Sequence, residues 1–430
     1  MKVLIVSTSE RTGGAAVAAS RLMEALKNNG VKAKMLVRDK QTDSLTVVGL
    51  TAKGKGGLLS SVMLHFVWER LVLLFHLHFK RQRLFELDIA NTGTDITKLP
   101  EFKEADIIHL HWINQGMLSL SGIRRILNSG KPVVWTMHDI WPATAICHLT
   151  LDCQHYKTQC RQCPCLPGGG GRNDLAARVW KRKKAMQEGH NISYVACSRW
   201  LEGEARQSAL LANQRVTSIP NPIDQRVYHA TDKAEARRQL GLPAEGKLIL
   251  FVSQRVTNRF KGMDYLIEAC RLMKQSHSEH CGNMGVVILG GAAEEVTEQL
   301  ALKAYPLGYV SDEHRLALVY SAADVFVLSS LSENLPNTIM EAMACGLPCV
   351  GFRVGGIPEE IDHRKNGYVA AYRDAADLAQ GMAWVLFEAD YDELCRQATA
   401  KVARCYSQSG VAMRYIEVYN QAMALNHYKL

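Results

Sequence analysis

Residues 323–356 read ADVFVLSSLSENLPNTIMEAMACGLPCVGFRVGG. The valine-rich run Ala323–Ser330 is apolar without alternation, the pattern of a strand covered on both faces of a parallel sheet. A polar loop, Leu331–Asn337, follows. Pro336 stands where a helix can begin, Thr338–Cys345 is made of good helix formers, and Gly346 and Pro348 stop it. Pro348–Phe352 is a second short strand, and Gly355-Gly356 turns the chain again. The result is a strand–helix–strand unit whose loop lies at the carboxyl end of the first strand, where open α/β sheets bind ligands. Two carboxylates flank this turn: Glu333 in the loop and Glu341 eight residues on, in the helix. The amino end of a helix suits an anion such as a diphosphate. A carboxylate beside it is suited instead to accept hydrogen bonds from sugar hydroxyls. The plainer alternative is that Glu333 complements the helix dipole and Glu341 is a surface residue.

Working outward, 430 residues with 47% apolar content suffice for two α/β cores. The formal charge of +9 favours anionic partners, either a nucleotide-sugar, a phospholipid surface or nucleic acid. No nucleic-acid motif accompanies it, so no nucleic-acid partner is expected. MKVLIVST at the start reads as a first strand rather than a signal peptide, which predicts a cytoplasmic protein.

In the N-terminal half, Lys2–Thr8 and Lys32–Arg38 read as strands flanking a helix, Ala15–Asn28. Gly13 and Gly14 precede that helix, where a bare backbone can approach phosphate oxygens or simply make a tight turn. Asp106–Trp112 and Pro132–Asp139 are further strands, which place His111 and His138 at strand ends, with Asp139 beside His138. Residues 57–83 carry apolar residues at helical spacing and a basic end, Lys80, Arg81 and Arg83. Glu69 and Arg70 in mid-segment argue against a membrane span, leaving an interfacial helix or an ordinary packed one. The basic run Arg178–Lys184 is a solvated helix face or part of the same membrane-facing surface. Cys147, Cys153, Cys160 and Cys163 follow a C-x5-C-x6-C-x2-C order, with Cys165 beyond. A structural zinc site suits that order in a reducing compartment, disulfides in an oxidising one.

The second half restarts with a strand, Leu248–Gln254, whose loop carries Arg255 and Lys261 ahead of a glycine. Fixed cations at the carboxyl edge of a strand suit an anionic ligand. The plainer alternative is surface charge. Residues 374–430 are largely helical, and Val411–Leu425 is the candidate to cross back onto the first half.

The run S-E-N-L-P-N-T-I-M-E-A-M-A-C-G-L-P-C-V resembles the E-x7-E signature of retaining glycosyltransferases of family 4. T-M-H-D-x-W-P resembles the family's T-x-H-D segment, and N-P-I-D (Asn221–Asp224) its P-N-G-I-D crossover, with proline replacing glycine. The cysteine-bearing insert, 147–165, resembles that of members acting on bacterial surface polysaccharides of the colanic-acid type. The resemblance implies an α/β protein of the glycosyltransferase B fold, two Rossmann-like domains facing across a cleft. Residues 1–220 would bind the acceptor, residues 221–405 the nucleotide-sugar, and residues 406–430 would form a helix crossing back to the first domain.

By the same resemblance, Arg255, Lys261, Gly13 and Gly14 would hold the diphosphate of a UDP- or GDP-sugar. Glu341 would hold the ribose, and Glu333 with Asn334 and Leu335 the sugar. Backbone groups at Tyr309 and Val310 would hold the base. His138 would lie beside the transferred sugar, with His111 and Asp139 on the acceptor side. No cofactor is expected for catalysis, since the two cations take the place of a metal. The acceptor would be a saccharide, in particular one on a polyprenyl carrier, with peripheral contact at the inner face of an anionic cell membrane. A nucleotide-sugar 2-epimerase of the same fold, or a non-catalytic nucleotide-sugar-binding protein, are the alternatives.

Overall fold

All thirteen strands among the described residues pair in parallel, and the apolar runs of the sequence follow from that. The computed structural model describes residues 1–50 and 61–427. They divide into two units, Met1–Pro222 with the chain from Val411 onward, and Ile223–Gly410. The first unit holds β1 (Lys2–Ser9), β2 (Lys32–Asp39), β3 (Val47–Gly49), β4 (Ile107–Leu110), β5 (Val133–Met137), β6 (Ile192–Ala196) and β7 (Arg215–Ser218). Its strand order is β3-β2-β1-β4-β5-β6-β7. The second holds β8 (Lys247–Arg255), β9 (Met284–Gly291), β10 (Lys303–Gly308), β11 (Val325–Leu328), β12 (Cys349–Phe352) and β13 (Gly367–Ala370). Its order is β10-β9-β8-β11-β12-β13. In each sheet the order reverses beside the unit's first strand, between β1 and β4 and between β8 and β11. The loops that follow those strands run to opposite sides, and the carboxyl edge opens there.

Both faces of each sheet are covered, as parallel strands require. Val3 and Ile5 of β1 join one core cluster and Leu4 and Val6 the other, because successive side chains point to opposite faces. The first cluster is closed by Val411, Ala412, Tyr415 and Tyr419 of the last helix, Gln408–His427. Tyr415 and Tyr419 also hydrogen-bond into the sheet, at Thr136 Oγ1 (2.9 Å) and His109 Nδ1 (2.7 Å).

Strand ends fall within a few residues of the sequence reading. The run expected to be a strand over 323–330 pairs only over Val325–Leu328, but Ser329 and Ser330 stay buried at its carboxyl end. Strands β3, β10 and β13 were not foreseen. The segment of β10, KAYPLG, carries a proline and lies at the sheet edge, where a missing N–H is tolerated.

Helix α1 (Gly14–Asn28) follows β1, and helix α2 (Ser61–His76) occupies the segment expected at 57–83; residues 57–60 lie outside the described residues. Glu69 and Arg70 of α2 turn inward. Glu69 Oε1 accepts the amides of Ile89 (2.9 Å) and Ala90 (2.7 Å). Arg70 donates to the carbonyls of Leu84 (2.6 Å) and Leu87 (3.1 Å) and pairs with Asp88. Among the described residues, no helix is long and apolar enough to cross a membrane.

Candidate functional site

In the second unit the loops after β8 and β11, neighbours at the point where strand order reverses, are stitched together. β8 ends at Arg255, whose Nε donates to Thr257 Oγ1 at 3.0 Å. A short 3-10 turn, Arg259–Lys261, follows, begun by Asn258 Oδ1 accepting the Phe260 amide. Leu331 N donates to Phe260 O (2.8 Å), and Ser329 Oγ to the carbonyls of Lys261 (3.2 Å) and Gly262 (2.8 Å). The outcome is that Lys261 Nζ donates to Glu333 Oε1 at 2.5 Å, joining residues 72 positions apart.

Two glycines permit this approach. Gly262 has φ 65°, and a Cβ there would lie 1.9 Å from Ser329 O. Gly355 has φ 56°, and a Cβ there would lie 1.7 Å from Glu333 O, while Gly356 N donates to Asn334 O at 2.8 Å. The Gly355-Gly356 turn therefore seats the loop that carries Glu333. Gly355→Ala is expected to displace Glu333 and lower kcat/KM by roughly 10²-fold, the cost of a misplacement of about 1 Å. Steady-state kinetics on a variant that retains its circular dichroism spectrum checks this.

Glu341 lies in the helix Asn337–Ala344 and is only 6% exposed, so it is not a surface residue. Tyr320 donates to its Oε2 at 2.8 Å. Tyr320 sits on the helix Glu313–Ala322 and escaped the sequence reading, because a lone tyrosine 21 residues upstream carries no spacing signal. Asn334 and Leu335 continue the Glu333 loop, with Leu335 buried. Tyr309 and Val310 follow β10 on the same carboxyl edge, Tyr309 exposed.

Close behind this loop lies a third carboxyl group, which the sequence did not single out. Glu360 is fully buried, and neither of its carboxyl oxygens has a hydrogen-bonding partner. Burial, and then the nearby Glu333, push its pKa well above the ordinary carboxylate value, so the fold favours the protonated, neutral form. An unfolded chain ionises this group above about pH 4.5, while the folded one holds the proton, so its contribution to stability falls as pH rises from there. Glu360→Gln is expected to melt higher than the parent at pH 7–8, with the gap closing toward pH 4.5. Calorimetric melts across that range read it directly.

In the first unit, Gly13 (φ 89°) precedes the first residue of α1, Gly14, and no acidic residue lies in the first turn of that helix. His111 and His138 follow β4 and β5, and His111 Nδ1 lies 2.9 Å from His138 Nε2. The other ring nitrogen of His138 lies 3.3 Å from Cys197 Sγ. Burial lowers the pKa of His138 to about 4 and that of His111 well below its ordinary value. Both rings are therefore neutral near pH 7 and suited to hydrogen bonding rather than to donating a proton outright. Any contact of His138 with a sugar has to exchange one of its present partners.

Asp139 is committed to partners other than the ring of His138. Its Oδ2 accepts from Trp112 Nε1 (3.0 Å) and meets His148 Nδ1 (2.7 Å), and its Oδ1 accepts the Trp141 amide (2.9 Å). His148 Nε2 in turn meets Asp88 Oδ2 at 2.7 Å. His148 stands in no motif, and its two partners lie 9 and 60 residues away.

Cys147, Cys153, Cys160 and Cys163 line one small cavity, together with Tyr156 and Ala176. All four cysteines are free thiols, as is Cys165. Among the described residues, no three His, Cys, Asp or Glu side chains are arranged so as to hold a metal ion.

A profile described as Glycosyltransferase Family 4 matches residues 12–227, and one described as Glycosyl transferases group 1 matches residues 246–388. An uncharacterised glycosyltransferase of Methanocaldococcus jannaschii is 32% identical over 366 residues, 79% of this chain and 90% of that protein. The D-inositol 3-phosphate glycosyltransferase of Thermobispora bispora is 28% identical over 225 residues, 50% of this chain. The match spans only about half of that relative's length, 52%. Among solved structures, sucrose-phosphate synthase from Thermosynechococcus elongatus superposes with a TM-score of 0.67 at 19% identity, covering 99% of this chain and 100% of its own. Anabaena HepE in complex with UDP-glucose gives 0.63 at 17% identity, covering 98% and 100%. These two structures share the two-domain, parallel-sheet fold, the glycosyltransferase B fold expected from the sequence.

Proposed function

The chain belongs to glycosyltransferase family 4, and from that premise we propose that it is a retaining glycosyltransferase acting on a nucleotide-sugar. The observation that carries this reading is the meeting of Lys261 and Glu333 at 2.5 Å where the strand order reverses. A cation for phosphate oxygens and a carboxylate for hydroxyls stand side by side there, and a nucleoside diphosphate sugar presents both groups. Lys261, with Arg255 at the end of β8, takes the diphosphate. Glu333 and the adjoining Asn334 and Leu335 take the sugar. Glu341, steadied by Tyr320, takes the ribose hydroxyls, and the Tyr309–Val310 backbone takes the base. A UDP-sugar is the first donor to test, because HepE binds UDP-glucose.

In the first unit, the amide end of α1 at Gly13 and Gly14 suits a phosphate, and the neutral ring of His138 suits a sugar hydroxyl. His111 positions that ring. In the reaction, the bond from the anomeric carbon to the diphosphate oxygen breaks, and its electron pair leaves with the phosphate. The acceptor oxygen bonds the same carbon on the same face, and its proton passes to the departing phosphate oxygen. Lys261 and Arg255 stabilise the charge that grows on that oxygen. Glu333 and Glu341 both address the donor, so neither acts as the nucleophile of a glycosidase.

The acceptor is a saccharide on a polyprenyl carrier, used in surface-polysaccharide synthesis, and the protein works in the cytoplasm at the inner face of the membrane. Incubation of the protein with a panel of nucleotide-sugars, with and without a membrane extract, tests this by product mass. A lipid-linked product one sugar heavier is the expected result. A modified nucleotide-sugar formed from donor alone would mean epimerisation instead. We also propose a structural zinc at Cys147, Cys153, Cys160 and Cys163. It requires a closer approach of these thiols than the present arrangement, and metal analysis of the purified protein decides it: one zinc per chain, lost in Cys160→Ser/Cys163→Ser, or none.

A further inference from the structure

Helix α2 is apolar on two opposite faces. Val62 and Leu73 are buried on its inner side, and Leu77 just beyond it packs into the same core as Leu87. On the other side, Leu64, Trp68, Leu71 and Phe75 recur at helical spacing and are 51%, 58%, 54% and 66% exposed. Phe79 and Phe85 extend this surface past the helix end, both more than half exposed. Scattered exposed apolar residues need no explanation, but a continuous stripe of this size with aromatic rings does.

Charge indicates what covers it. Lys80 and Arg81 follow the helix and are exposed. The helix Leu175–Gln187 lies alongside, tied on by Arg178 Nη2 to His76 Nε2 at 3.1 Å, and exposes Arg178, Lys181 and Arg182. Between them the two helices carry one carboxylate, Glu69, and it is 0% exposed. The surface therefore offers apolar side chains rimmed mainly by cations, with Glu86 beside Phe85 a half-buried carboxylate next to them. We propose that this face of the first unit docks on an anionic lipid bilayer, with the α2 stripe entering the headgroup boundary and the cations meeting lipid phosphates.

The geometry fits a helix lying in the interface. Sixteen residues make about 24 Å of helix, short of the roughly 30 Å hydrocarbon core, and the inner face is committed to the protein. A second copy of this chain fits less well, since a two-fold contact would bring the same basic rim against itself. The proposal gives a surface to the membrane contact named above, and it does not depend on the donor site.

Co-sedimentation with vesicles tests it, using phosphatidylcholine alone and phosphatidylcholine mixed with phosphatidylglycerol. The full chain is expected to bind the anionic vesicles, at least about tenfold more weakly once Trp68→Ser/Leu71→Ser/Phe75→Ser removes the stripe. Lys181→Glu/Arg182→Glu is expected to weaken binding as well, by roughly fivefold per cation, and added salt to weaken it in the parent. These side chains are exposed, so melting temperature and UDP binding should match the parent in both variants. Equal vesicle binding by parent and triple variant would overturn the proposal, as would no binding by the parent. So would a concentration-dependent dimer in sedimentation velocity that the triple variant abolishes. If vesicles bind as expected while no nucleotide does, the transferase reading falls and the docking surface stands.

Discussion

Lys261→Ala is expected to lower kcat/KM for sugar transfer by roughly 10²–10³-fold, as for loss of one preorganised charge at a departing oxyanion. Lys261 sits at the end of a 3-10 turn that is hydrogen-bonded to the β11 loop, so its ammonium is held rather than free to wander. Its present partner is Glu333, and removal of the lysine also leaves that carboxylate, 12% exposed, without its ion pair. The two contributions separate by inhibition. Free UDP lacks the sugar, so Lys261→Ala should weaken inhibition by UDP, whereas Glu333→Gln should leave it near the parental value and still lose turnover. Arg255→Ala should resemble Lys261→Ala. Unchanged inhibition by UDP in both cation variants would remove the diphosphate assignment.

His148→Gln is expected to destabilise the first unit by about 3–5 kcal/mol, the usual result of removing one partner from a buried ionic network. Burial by itself would lower the imidazole pKa, but the Asp139 carboxylate and then Asp88 outweigh it and push the value up to about 10. The ring is thus a cation bridging two acids, 2.7 Å from each. Asp88 is further joined to Arg70 of α2, and Asp139 to Trp112 and Trp141, so the loss reaches several elements. Because the folded pKa is raised, the stabilisation is complete below about pH 6.5 and is lost as pH climbs through 10. The difference between parent and variant should therefore shrink across that window. Tryptophan fluorescence in urea is a suitable probe, since six of the seven tryptophans lie in the first unit. A variant as stable as the parent at pH 6 would show that the bridge carries no net stability.

The strands were legible because both faces of each sheet are covered, so β1, β8, β9 and β11 appear as unbroken apolar runs. The glycines at 262 and 355 were legible as loop and turn positions, but that they let the Lys261 and Glu333 loops touch shows only in the fold. What the sequence hid depends on partners brought from far along the chain. Glu360 is the last residue of a four-residue helix, Ile357–Glu360, and carries no sequence signal, and only packing reveals a carboxyl group sealed without partners. His148, Tyr320 and Cys197 carry no motif, and their roles follow from contacts over 9 to 60 residues. In α2 the helical spacing was visible, but which apolar face would be buried was not, because both faces are apolar.

The central claim is that Arg255 and Lys261 of the second unit grip a nucleoside diphosphate. Calorimetric titration of UDP and GDP into the full chain and into Arg255→Ala/Lys261→Ala tests it most directly. The account predicts saturable binding of at least one nucleotide at a single site in the parent, weakened by about 100-fold or more in the double variant without loss of melting temperature. Equal affinity in the two proteins would contradict it.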